Sequence, residues 1–100
     1  MKYEKPDKAA IAERLQTASG WTLSEDGSAI SRHFVFTDFG EAFAFMTRSA
    51  LAAERLDHHP EWSNVYRHVD VKLTTHAVQG LTDPDFRLAA AMDRAAGGRD

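Results

Sequence analysis

The sequence predicts an α+β fold: three helices on one face of a four-stranded antiparallel sheet, in the order α-β-β-α-β-β-α. Three observations predict it. Hydrophobic spacing passes from helical to alternating and back twice along the chain. Each alternating stretch holds two short β-rich runs close enough to pair as a hairpin. The 100 residues, 43% hydrophobic and 27% charged, suffice for one core and leave no room for a second. We assign 1–100 to that single domain, with 1–6 as a flexible lead-in and 97–100 as a flexible tail.

The elements follow in order. Residues 2–8 are charged and interrupted by Pro6. Ile11, Leu15 and Ala18 then recur at i, i+4 and i+7, with Ala9 and Ala10 adding helix propensity. Gly20 ends this helix as a residue free to take positive φ. Trp21-Thr22-Leu23 alternates, and 30–36 alternates with Ile30, Phe34 and Phe36 on one face. The Asp26-Gly27 pair between them is a hairpin-turn signal. Thr37 or Asp38 can cap the next helix. Phe39, Phe43, Met46, Ala50 and Ala53 form its apolar stripe, widened by Ala42, Phe45, Ala52 and Leu56. That is about five turns with a broad buried face, bounded by Pro60.

Residues 62–66 and 69–76 read as a second hairpin, turning near Arg67-His68. Val69, Val71, Leu73 and Thr75 share one face of its second strand; Asp70, Lys72, Thr74 and His76 share the other. Gly80 marks a loop. Thr82 is an N-cap, Pro84 lies just inside the last helix, and Asp85 holds the capping-box position. Phe86, Leu88, Ala89, Ala90, Met92 and Ala96 continue it. The uncovered sheet face and the sheet edges favour a homo-oligomer.

Composition excludes several classes. Twelve Lys plus Arg against 15 acidic residues give a formal net charge of −3, which argues against direct nucleic-acid binding. There is no cysteine, so thiolate metal sites, disulfides and cysteine nucleophiles are excluded. The longest apolar runs, 42–46 and 88–92, fall far short of the ~20 residues that span a bilayer. The N-terminus has no secretory pattern. A soluble cytoplasmic protein without membrane partners is expected.

Chemistry concentrates at Glu54-Arg55-Leu56-Asp57-His58-His59-Pro60-Glu61-Trp62. Glu54 and His58 are four residues apart and face the same way while the helix lasts. His58 and His59 sit where the proline turns the chain, so their side chains diverge. His76 ends the strand returning from the hairpin that starts after Pro60, so the topology allows it to join them. Imidazole, with a reference pKa of about 6.5, both gives and takes protons near neutrality. The plainer reading is that His58 and His59 are polar residues at a helix end, where cations favour the dipole. A further alternative is a metal-dependent enzyme using the histidines with Glu54, Asp57 or Asp85. No His-x-x-x-His or His-Glu-x-x-His spacing supports it. His33 and His68 are assigned to strand surface and turn, without function. Asp85 has an ordinary helix-start role beside any role in a site, and Trp62 suits core or subunit contact as well as a pocket wall.

The spacing Glu54, three residues, His58-His59-Pro60, five residues, Tyr66, nine residues, His76, eight residues, Asp85 resembles the signature of the pterin-4a-carbinolamine dehydratases. Gly20-Trp21, 30–36, the helix from Phe39 and Thr74-Thr75-His76 with Gly80-Leu81 look similar too. The resemblance covers about 20–91. It implies the α-β-β-α-β-β-α fold and dehydration of a 4a-hydroxy-tetrahydropterin to quinonoid dihydropterin, with no metal or organic cofactor. It also implies a functional link to an aromatic amino acid hydroxylase, whose pterin is thereby recycled. His58, His59 and His76 are carried over as catalytic, with His58 and His76 sharing the acid and base roles and His59 orienting the pterin. Glu54, Asp57, Pro60, Trp62 and Asp85 are carried over as substrate-binding. Family members form dimers or tetramers, so a homodimer or homotetramer is expected. Some animal members also act as coactivators, which makes an interaction module the alternative function. One departure is Pro84, where an arginine often precedes the final aspartate.

Overall fold

The computed structural model describes residues 5–97; the outer parts of the assigned lead-in and tail, 1–4 and 98–100, lie outside the described residues. Asp7 caps the first helix, α1 (Lys8–Thr17), its Oδ1 accepting from the Ala10 amide at 2.9 Å. The strands β1 (Thr22–Leu23) and β2 (Ile30–Val35) form the first hairpin. Asp38 caps α2 (Phe39–Leu56) by accepting from the Glu41 amide at 2.8 Å. The second hairpin is β3 (Glu61–Val65) and β4 (His68–Leu73), and α3 (Asp83–Ala95) closes the order. All strands pair antiparallel in the order β1-β2-β4-β3. The expected α+β architecture is the one observed.

Strand alternation decides the two faces of the sheet. Ile30, Phe34, Val69, Val71 and Leu73 are buried and join one cluster with Phe45, Ala52, Leu88 and Met92 from the helices. Ile11 and Leu15 of α1 pack against its margin. Ser31, His33, Ser63, Asp70 and Lys72 lie exposed on the opposite face, neighbours in register. At the cluster's end Asp93 accepts from Trp21 Nε1 at 3.0 Å and from Arg32 at 2.8 Å, tying α3 to β2.

Four local expectations are corrected. Gly20 does not take positive φ; among the described glycines Gly27 and Gly97 do. Its lack of a side chain serves packing instead, because a Cβ there would sit 2.6 Å from the Arg32 guanidinium. The α2 stripe is rotated. Ala42, Phe45, Ser49, Ala52 and Ala53 are buried, whereas Phe39 and Phe43 stay about half exposed, their rings 5.7 Å apart. The second hairpin turns at Tyr66-Arg67, with Tyr66 at φ 53°, and His68 belongs to β4. Finally, β4 stops at Leu73, so His76 does not end it. Thr75 makes an isolated bridge to Gly80, and His76–Val78 is a 3-10 turn whose cap, Gln79, is left-handed.

Candidate active site

The end of α2 sets the first half of the site. Asp57 adopts a left-handed conformation. Its amide bonds to the Glu54 carbonyl at 3.2 Å, and the His58 amide bonds to the Ala53 carbonyl at 3.0 Å. These are the paired bonds of a Schellman ending. The reversal separates two adjacent histidines: His58 is buried and His59 is exposed. It also reassigns Glu54. The i,i+4 spacing would join it to His58 had the helix continued, but the carboxylate instead meets His59 Nε2 at 2.7 Å.

His58 points to the start of α3. Its Nε2 lies 2.5 Å from Asp85 Oδ1, with the histidine 7% exposed and the aspartate fully buried. The other carboxylate oxygen, Oδ2, accepts from the Thr82 amide at 2.9 Å and from the Thr75 hydroxyl at 2.7 Å. Thr75 and Thr82 also bond to each other at 2.6 Å. A hydroxyl has one proton. Thr75 spends its proton on Asp85, so Thr82 donates to Thr75. A buried carboxylate is costly unless its oxygens are satisfied; here each oxygen has a donor, and the arrangement fixes His58 against a rigid acceptor.

The second half comes from the turn after β4. His76 Nε2 lies 2.9 Å from Glu61 Oε2, both side chains being solvent-exposed. Residues 58–61 and 75–76 are therefore tied twice, through Thr75–Asp85–His58 in the interior and through Glu61–His76 at the surface. Trp62 stands opposite Val71 in register, partly buried against the core cluster. Pro60 is half-buried and Asp57 exposed beside them.

Three histidines thus each meet a carboxylate through the same nitrogen, Nε2: His58 with Asp85, His59 with Glu54, His76 with Glu61. An ionised carboxylate only accepts, so His58 and His59 each donate from Nε2, whereas His76 Nε2 lies within ion-pair distance of Glu61 without a hydrogen bond to it. Rings placed beside carboxylates in this way can give and take protons. Among the described residues, no group of three or more His, Cys, Asp or Glu side chains is placed to hold a metal ion.

Sequence reasoning missed Thr75 and Glu61. The signal for Thr75 was a hydroxyl on the buried face of the strand alternation expected over 69–76, a polar group at a core position that needs a partner. Glu61 had no such signal, since its partner is 15 residues away across an irregular turn. The other histidines form a surface chain: His33 Nδ1 meets Asp70 at 2.6 Å and His33 Nε2 meets His68 Nδ1 at 3.1 Å. An open groove of about 950 Å³ runs along this uncovered sheet face, lined by Ser31, His33, Glu61, Trp62, Asp70 and Lys72 among others. It touches the candidate site at Glu61 and Trp62 and is lined by none of His58, His59 and His76. The groove is defined by shape alone, whereas the histidine–carboxylate pairs bring titratable groups within bonding distance of one another.

Comparison with known proteins shows the family. Residues 4–95 match the family model described as pterin 4 alpha carbinolamine dehydratase. A Sinorhizobium medicae protein provisionally named pterin-4-alpha-carbinolamine dehydratase is 62% identical over 99 residues, 99% of this chain and 94% of the relative. A Rhizobium meliloti protein of the same provisional name is 60% identical, covering 99% and 95%. The crystal structure of a transcriptional coactivator/pterin dehydratase from Brucella melitensis superposes with a TM-score of 0.90 at 44% identity, over 94% of this chain and all of that one. A pterin dehydratase-like protein described as a RuBisCO assembly factor in the alpha-carboxysome shares the fold, with a TM-score of 0.67 at 23% identity, over 78% of this chain and 90% of that one. With nearly the whole chain inside the family model and relatives about 60% identical over almost their full length, the chain belongs to the pterin-4-alpha-carbinolamine dehydratase family.

Proposed function

We propose that the chain forms one dehydratase domain that converts 4a-hydroxy-tetrahydropterin to quinonoid dihydropterin and water by histidine acid/base catalysis. The observation that carries this reading is the double tie between residues 58–61 and 75–76, which supports His58 and His76 acting on one substrate. Hydroxide is a poor leaving group, so an imidazolium protonates the C4a oxygen as the C–O bond breaks. A neutral imidazole takes the proton from the neighbouring ring nitrogen, whose electron pair forms the new C=N bond. Each such transfer contributes ~10²–10⁴-fold. His59, held outward by Glu54, orients the pterin. Asp57, Pro60 and Trp62 line the binding surface, and Asp85 fixes His58. The reaction returns pterin to a reducible form for an aromatic amino acid hydroxylase in the cytoplasm; among the described residues no helix is long and apolar enough to cross a membrane.

The test is an ultraviolet assay with freshly generated carbinolamine. The protein should accelerate decay, and His58→Ala and His76→Ala should each slow turnover by more than about tenfold. Decay at the spontaneous rate, or two variants as fast as wild type, would reject the assignment.

An interaction role is the second reading, favoured by the exposed apolar side chains Phe39, Phe43 and Leu51 on α2. The first occupant we propose for this surface is a second copy, giving a homodimer or homotetramer. Light scattering that reads a monomer would remove that proposal. A partner protein captured equally well by His58→Ala would favour coactivator-like use over catalysis.

A further inference from the structure

We propose that the groove between α2 and α3 docks an acidic helical segment of a partner protein, held by four arginines. This part of the molecule takes no part in the dehydratase reading. Each helix carries the same pattern, arginine, alanine and arginine at i, i+4 and i+7: Arg48, Ala52 and Arg55 on α2, and Arg87, Ala91 and Arg94 on α3. Residues so spaced share one side of a helix. The two helices run antiparallel. Arg48 Nη1 donates to the Ala95 carbonyl at 3.4 Å at one end, and His58 meets Asp85 at the other. Between the helices lies a groove of about 330 Å³, lined by Arg55, Arg87 and Arg94 and otherwise by alanine and Leu56. All four arginines are exposed.

Helix stability does not account for this gathering. Arg55 and Arg94 lie in last turns, where a cation suits the dipole; Arg48 and Arg87 lie away from those ends and gain nothing from it. The acids beside them in sequence are engaged elsewhere. Glu54 meets His59 and Asp93 meets Trp21 and Arg32. Asp83 takes Arg14 at 3.0 Å and approaches Arg87 only at 4.0 Å. Among the described residues no ion pair engages Arg48, Arg55 or Arg94. In a chain of net charge −3, these side chains make a local positive field that a negative partner would neutralise.

Guanidinium recognises carboxylate and phosphate alike, and the spacing chooses between them. Arginines seven residues apart are separated by ~10.5 Å along the helix axis. Carboxylates at i and i+7 of a third helix laid in the groove match that separation, and the alanines leave room for a small apolar side chain between them. A single phosphate would reach one end only. A nucleic-acid backbone has no apolar group for the alanine lining, and the acidic remainder of the chain opposes its length.

The probe is a fluorescein-labelled, alanine-based helical peptide with glutamates at seven-residue spacing on both flanks of one apolar stripe. Its counterpart carries glutamine at those positions. Fluorescence anisotropy on the full chain at about 50 mM salt should show the glutamate peptide binding at least about tenfold more tightly than the glutamine peptide. Arg55→Gln with Arg94→Gln, diagonal corners of the groove, should weaken it about tenfold. Arg67→Gln with Lys72→Gln, the same charge change away from the groove, should weaken it less than about twofold. Ala90→Glu, which sets a carboxylate at an exposed position lining the groove with every arginine intact, should reproduce the loss and decides the matter should the double arginine variant fail to fold. Equal binding of the two peptides, equal weakening by the two double variants, or full binding by Ala90→Glu would overturn the proposal. An oligo-dT strand that binds the groove more tightly than the peptide would overturn it in favour of nucleic acid, and displacement of the peptide by millimolar pyrophosphate at matched ionic strength would overturn it in favour of a small anion.

Discussion

Replacing Thr75 by valine tests whether the buried polar network is a structural unit. Thr75 is 3% exposed, and valine keeps its shape and β-branching. The substitution removes the hydroxyl that donates to Asp85 Oδ2 at 2.7 Å and accepts from Thr82 at 2.6 Å. A hydrogen bond to a charged group contributes ~1.5–3 kcal/mol, and the stranded Thr82 hydroxyl adds a desolvation cost of its own. The new buried methyl returns up to ~0.8 kcal/mol. The expected net loss is about 2 kcal/mol, which lowers Tm by roughly 8–16 °C in a domain of this size. Urea unfolding should show the midpoint falling with an unchanged slope, because the surface exposed on unfolding is the same. Thr75→Ser is the control: it keeps both bonds and loses one methyl, about 1 kcal/mol. A valine variant as stable as wild type, or a serine variant less stable than valine, would show that the hydroxyl does not anchor Asp85.

Two further outcomes follow from single side chains. Ser49 is fully buried in α2, and its Oγ has no hydrogen-bond partner among the described residues; Ser49→Ala should raise stability by about 1 kcal/mol, and a lower urea midpoint would contradict it. In the first hairpin turn, Asp26 accepts from the Ser28 hydroxyl and amide and from the Ser24 hydroxyl, which hold its carboxyl down from 3.8 to about 2. The sign follows from the depressed value: the contribution is complete above the ordinary carboxylate range and is lost as pH falls through about 2. The stability gap between wild type and Asp26→Asn should therefore be constant near neutrality and close in acid. A carbon-detected titration placing Asp26 at the ordinary 3.8 would contradict it.

What the sequence made legible was whatever depends on neighbours in the chain. Asp38 and Thr82–Asp85 announced helix starts because capping is settled within four residues. Val69, Val71, Leu73 and Thr75 announced a buried face because side chains alternate with period two. What stayed hidden depends on residues brought together by folding. The N-terminal half of α2 carries apolar side chains around most of its circumference, so periodicity could not say that Phe45 faces inward and Phe43 outward. Gly20 is explained by an arginine 12 positions away. The strand carrying His76 stops early because Thr74 donates to the Ser28 carbonyl at 2.6 Å and Thr75 pairs with Gly80, contacts that no local pattern announces. Of the carried-over site residues, the pattern located the stretches, while the partners of Glu54, His59 and His76 were decided by the chain reversal at Asp57 and by the 3-10 turn.

Asp85 shows why a structural and a functional reading of one residue need not compete. Its two oxygens are divided: Oδ2 closes the start of α3 through the Thr82 amide, and Oδ1 meets His58. The capping bond holds the carboxylate at one orientation, and that orientation presents the second oxygen to the ring. Helix-start chemistry is thus the means by which an imidazole from the end of α2 acquires a fixed acceptor. The division also accounts for the burial. An aspartate that only capped a helix could remain at the surface, where water would share its oxygens. One that must hold a histidine in a single tautomer benefits from the removal of that competition, and the two threonine hydroxyls supply part of what water would otherwise provide. A change at Asp85 should accordingly disturb stability and turnover together.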